Sequence, residues 1–87
     1  MTMKKIEINE YIVADPNICH GKPTFKGTRI MVWQVLEMLK AGMAEEEIMK
    51  AFPTRLTRKQ IRAALDYAAS LTKGENYVLL KIEIPTR

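Results

Sequence analysis

The sequence predicts a mainly α domain, three short helices bracketed by short N- and C-terminal β-strands, and three observations carry that prediction. Apolar residues recur at helical spacing in separate stretches between Val32 and Leu71. A capping signal opens the last stretch, and two-residue alternation is confined to the chain ends. With 87 residues, 47% of them apolar, the chain suits a single domain, 1–87, near the lower size limit for a self-sufficient core. A homodimer, which buries more apolar surface, is the expected state.

Ile6 and Ile8 alternate with Lys5, Glu7 and Asn9, so a short strand is expected over about 4–9. The same residues lack the apolar centre of a signal peptide, and no window reaches membrane-spanning length. No membrane association and a cytoplasmic location are expected.

Asp15 to Ile30 reads DPNICHGKPTFKGTRI. Gly21 and Gly27 permit positive φ, while Pro16 and Pro23 fix theirs, so this is a shaped loop and the first place to look for function. Lys22, Lys26 and Arg29 make it a second basic surface. The spacing fails the P-loop test, because no Gly-Lys-Ser/Thr precedes a long helix. Cys19 is the single cysteine and His20 the single histidine, which leaves no disulfide within the chain and too few ligands for zinc. Adjacent side chains on an extended segment point apart, so Cys19 and His20 are not expected to form a catalytic pair. The expectation is a protein without cofactor or metal, and not an enzyme.

Val32, Val35, Leu36 and Leu39 face one side of the first helix, with Gln34, Glu37 and Lys40 opposite and Gly42 as the stop. Trp33, beside this stripe, is expected in the core or an interface. Glu45, Glu46 and Glu47 open a second helix of about two turns, with Ile48, Ala51 and Phe52 inward and Pro53 ending it. The third begins at a capping box, Thr57 with Gln60, and Leu56 and Ile61 form the accompanying hydrophobic staple. Ile61, Ala64, Leu65, Ala68 and Leu71 are expected inward, with Gly74 just past the end. Val78, Leu80, Ile82 and Ile84 then alternate with Tyr77, Leu79, Lys81 and Glu83, predicting a strand over about 77–84 that pairs with its N-terminal counterpart within or between subunits.

Lys and Arg number 14 against 10 Asp and Glu, a net charge of +4 that favours acidic partners. Three helices with a tight turn before the third resemble a helix-turn-helix, whose last helix enters the DNA major groove. Arg55, Arg58, Lys59 and Arg62 cluster at the start of that helix and are the expected DNA-binding residues. A solvated helical face looks the same, and Arg62 with Asp66 is an ordinary i, i+4 pair. The alternative is a protein–protein interaction module that binds its partner without contacting DNA.

Asp15-Pro16, Cys19, Gly21-Lys22-Pro23, Gly27-Thr28-Arg29-Ile30 and Val32, followed by Gly42, Glu46-Glu47-Ile48, Pro53, Leu56-Thr57, Ala63-Ala64-Leu65 and Tyr67-Ala68, resemble the bacterial and archaeal domain-of-unknown-function 433 family over about residues 12–69. The family is similar to VapB45-type antitoxins. The resemblance implies a homeodomain-like or winged helix-turn-helix fold, operator DNA as a partner and a PIN-like ribonuclease toxin to neutralise. Against the family pattern, His20 stands where glycine is usual, Met31 where proline is favoured and Ala44 where serine or threonine often caps the second helix. Arg58 and Lys59 stand where acidic residues are common.

Overall fold

Ile12 and Val13 are adjacent in sequence and therefore face opposite sides of a strand, yet both are buried, at 0% and 7% exposure. A strand covered on both faces shows no alternation, and this one is the centre of the sheet. The computed structural model describes residues 4–74. Within them, β1 (Ile6–Glu7), β2 (Ile12–Ala14) and β3 (Pro23–Phe25) form an antiparallel sheet in the order β1-β2-β3. The registers are Ile6 opposite Ala14 and Glu7 opposite Val13, then Ile12 opposite Phe25, Val13 opposite Thr24 and Ala14 opposite Pro23. Pro23, which has no N–H to donate, opens an outer strand where that loss is tolerated.

Three helices follow: α1 (Val32–Lys40), α2 (Glu45–Met49) and α3 (Arg58–Thr72). The architecture is thus an α+β mix with its strands at the N-terminal end. This corrects the expectation of a mainly α homeodomain-like or winged helix-turn-helix core: a three-stranded sheet precedes the helices, and no winged helix-turn-helix is shown among the described residues. The physical reason is strand length, since two or three residues cannot register a period of two. The strand expected over 4–9 shrinks to Ile6–Glu7, with Ile6 64% exposed. The strand expected over 77–84 lies outside the described residues.

Phe25, Ile12, Ile48, Leu56, Ile61 and Val35 are the large, fully buried side chains, so sheet and all three helices share one core. Thr57 behaves as expected: its Oγ1 accepts from the Gln60 amide at 3.2 Å and Gln60 Oε1 accepts from the Thr57 amide at 2.7 Å. Leu56 and Ile61, the expected staple, both sit in the core. The other two helix starts keep only half of this arrangement. Gln34 Oε1 accepts from the Met31 amide and Glu47 Oε1 from the Ala44 amide, each at 3.0 Å, but neither Met31 nor Ala44 has an oxygen to offer in return. α2 is shorter than expected, and Ala51 beyond it is exposed rather than inward. On α3 the inward stripe is Ile61 and Ala64, continued by half-buried Tyr67, Ala68 and Leu71, while Leu65 is 44% exposed.

The loop from Asp15 to Ile30 is held largely by its own backbone. Asp15 Oδ1 accepts from the Asn17 amide at 2.9 Å, and Thr28 Oγ1 donates to the Phe25 carbonyl at 2.8 Å while accepting from the Ile30 amide at 3.0 Å. Between them Cys19 (φ 52°), His20 (φ 58°) and Gly21 (φ 84°) form a left-handed turn, closed by Gly21 N–H to the Ile18 carbonyl and Lys22 N–H to the Cys19 carbonyl. The extended geometry expected at Cys19 and His20 is therefore replaced by a turn. A Cβ is unfavourable in that conformation, which explains why glycine suits position 20. His20→Gly should raise unfolding stability by about 0.5–1 kcal/mol, the left-handed penalty less the extra chain entropy of glycine. Urea denaturation checks this, and an unchanged or lowered midpoint would count against the turn.

Candidate functional site

The α3 cations expected on DNA do not stand as a free stripe. Arg58 Nη1 is bonded to Glu45 Oε1, its Nη2 lies 3.3 Å from Glu46 Oε2, and Arg62 Nε lies 3.9 Å from Glu45 Oε2. Glu45 and Glu46 open α2, so the fork of Arg58 clamps the first turn of α2 to the first turn of α3. Both ends gain electrostatically: the glutamates sit at a helix N-terminus, and Arg58, unfavourable at its own, is compensated by them. The Arg58 guanidinium pKa is raised further, chiefly by its hydrogen bond and charge attraction to Glu45, and then by Glu46.

Lys59 and Arg62 instead line a shallow cleft of about 340 Å³ with Asn9, Glu10, Tyr11 and Asp66, where two carboxylates accompany the two cations. Arg55 is exposed, and neither it nor Lys59 has a carboxylate within 4.0 Å among the described residues. The second basic surface is divided as well. Lys26 Nζ pairs with Glu7 at 3.4 Å, Lys22 belongs to a groove on α1, and Arg29 is exposed, its carbonyl accepting from Cys19 Sγ at 3.6 Å. Among the described residues no three His, Cys, Asp or Glu side chains converge on a metal position, and no helix is long and apolar enough to cross a membrane.

The groove is the feature that the sequence did not announce. It encloses about 460 Å³ between the start of β3, the N-terminal half of α1 and the middle of α3, lined by Lys22, Pro23, Val32, Trp33, Leu36 and Tyr67. Trp33 is 51% exposed, so of its two expected positions, core and interface, the core is excluded. Its indole N–H donates to Met31 Sδ at 3.3 Å, which fixes the ring against the start of α1. Two aromatic rings, a proline and aliphatic side chains with one cation at the rim make a surface suited to an apolar segment. The sequence signal was available: in an amphipathic α1, a tryptophan next to Val32 and before Gln34 falls off the inward stripe.

The family described as "Protein of unknown function (DUF433)" matches residues 12–68. The chain belongs to the DUF433 family. The match runs from the first residue of β2 into α3, and every groove residue lies inside it, whereas β1 lies outside. The DUF433 chain is also 36% identical over 59 residues to the uncharacterized protein y4eO of Sinorhizobium fredii, covering 68% of this chain and 26% of that protein. This DUF433 chain thus spans about a quarter of the length of the curated relative it matches. No solved structure matches it.

Proposed function

We propose that this domain is a protein-binding module of antitoxin type, which holds a partner protein through the Trp33 groove and carries out no catalysis. The observation that carries the reading is the exposed Trp33, set in an apolar groove on a domain whose Arg58 is already bonded to α2 and whose Arg62 lies 3.9 Å from Glu45. Large exposed aromatics in a concave apolar setting are the usual anchors of protein interfaces. The resemblance to VapB45-type antitoxins supplies the partner class, a PIN-like ribonuclease toxin. The test is co-expression with the product of the reading frame adjoining its own gene. A complex that persists at high salt supports apolar docking, because screening weakens charge contacts and leaves apolar ones intact; no complex, or one that dissolves as salt rises, opposes it.

Operator DNA contact through Arg55, Arg58, Lys59 and Arg62 is the second reading, favoured by the exposure of Arg55 and Lys59 near the start of α3. Its difficulty is that Arg58 and Arg62 must leave Glu45 and Glu46 before they meet phosphate. Glu45→Gln with Glu46→Gln should therefore raise non-specific DNA affinity and steepen its salt dependence by about two phosphate contacts. If the double variant binds DNA no better than the parent, the glutamates are not what restrains these arginines.

A further inference from the structure

Two grooves adjoin on one face of the sheet. The first is the Trp33 groove, which begins at Lys22 and Pro23. The second, of about 470 Å³, is lined by Lys4, Ile6, Ala14, Pro16, His20 and Gly21, so residues 20–23 border both. The strand register joins their floors. Ile6 stands opposite Ala14 and Ala14 opposite Pro23, and residues paired across antiparallel strands project to the same side. The next row on that side, Ile12 opposite Phe25, is fully buried in the core shared with the helices. Among the described residues the helices thus cover one row of this face and leave the other, whose outer member Ile6 is 64% exposed. Across two strand spacings, about 10 Å, the open row leads from Ile6 to Pro23 and there reaches the groove of Trp33, Leu36 and Tyr67.

We propose that the Trp33 groove and this open row form one contact face, from Ile6 to Trp33, for an acidic amphipathic segment of the partner protein. The proposal rests on the reading of the Trp33 groove as the partner's site, and adds the extent of that site and the chemistry of its occupant. Charge selects the occupant. Apart from the phenol of Tyr67, the ionisable side chains that line the two grooves are Lys4, Lys22 and His20, with no carboxylate among them. Lys4 and Lys22 are exposed, and neither has a carboxylate within 4.0 Å among the described residues. Glu37, one turn beyond Trp33 on α1, is paired with Lys40 at 2.9 Å. A segment that offers apolar residues to Ile6, Pro23 and Trp33 and carboxylates to the two lysines therefore fits on both counts. A second copy fits less well, because a two-fold interface sets the same patch against itself and brings lysines to lysines. A segment that follows the row crosses the strands, so it lies over the sheet and does not extend it. The apolar row supplies affinity, and the lysines choose among partners.

The probes are two synthetic amphipathic peptides of about 14 residues, roughly 21 Å long as helices. Each has one leucine face, and the other face carries glutamate in one peptide and lysine in the other. Nuclear magnetic resonance of the full chain follows the amides of Ile6 and Ala14 and the indole N–H of Trp33, the only tryptophan. The glutamate peptide is expected to shift all three signals together and to bind about tenfold more tightly than the lysine peptide, and Lys4→Glu/Lys22→Glu should reverse that preference. Both lysines are exposed, so the variant keeps its fold, and the mapping on the parent needs no variant. Shifts at Trp33 without Ile6 and Ala14 overturn the proposal and leave the partner-binding groove standing. Equal binding of the two peptides, a preference that the variant keeps, or no shift at these positions with either peptide overturns it as well, and the co-expressed complex judges the groove independently. Shifts of the three signals on dilution of the chain alone overturn it in favour of a second copy.

Discussion

Replacing Trp33 by alanine should weaken capture of the protein partner by roughly 100-fold, about 2.7 kcal/mol, while leaving the fold intact. Truncating a buried tryptophan anchor removes its own contacts and leaves the facing pocket of the partner unfilled, which is why such positions dominate interfaces. The fold should survive because Trp33 contributes nothing to the fully buried core, which is built from Ile12, Phe25, Val35, Ile48, Leu56 and Ile61. Isothermal titration gives the affinity and thermal unfolding the stability. An unchanged affinity would remove Trp33 from the interface.

Asn9→Ala should cost about 2 kcal/mol of folding stability, the largest loss expected from any single polar side chain in the domain. Asn9 Oδ1 accepts from the amides of Tyr11 at 2.9 Å and Ile12 at 3.0 Å, which closes the β1–β2 turn. Its Nδ2 donates to the Ala63 carbonyl on α3 at 3.3 Å, which ties that turn to the helix. One side chain thus joins two parts of the fold that are 54 positions apart. Asn9→Asp separates the contributions, because it keeps the acceptor for the turn and loses the donor to Ala63; about half the loss is expected. Urea midpoints of the three chains measure both effects. If alanine and aspartate behaved alike, the turn would contribute little and the helix contact most.

Asn9 also shows where sequence reading stops. Its side chain looks like one polar member of an alternating strand, and nothing in the neighbouring residues indicates a partner on α3. The helices were legible because their signals are local: Thr57 with Gln60, Leu56 with Ile61, Gly42 after Lys40. The sheet was not, because β2 is covered on both faces and β3 is hidden inside a segment whose glycines and prolines read as loop. That hidden sheet is what turns an apparent three-helix domain into an α+β one. The contacts of the first turn of α3 are hidden from the sequence for a related reason. Arg58 and Arg62 look like a free basic stripe when only their own helix is considered, and the acids that engage them stand on α2, 12 to 13 positions away from Arg58. Read along their own helix, Glu45 and Glu46 complement only its dipole, although three consecutive glutamates upstream of a cluster of arginines signal that the two groups could meet.

The Asp15 to Ile30 loop, which first draws attention by its glycines and cations, contributes to the site mainly by holding Lys22 and Pro23 at the mouth of the groove. Its hydrogen bonds are largely internal, and they hold a fixed turn between β2 and β3 that offsets its cost in ordered backbone.

The proposed reading gives the arginines at the start of α3 the role of fastening α2 to α3 in place of reading DNA. Its most direct test is the affinity of the full chain, at low salt, for the duplex upstream of its own gene against an unrelated duplex of equal length. The account predicts the same weak binding to both, with dissociation constants in the non-specific range of about 10⁻⁴ to 10⁻⁶ M. A preference for its own upstream duplex of about 10³-fold or more, abolished by Arg58→Ala, would contradict it.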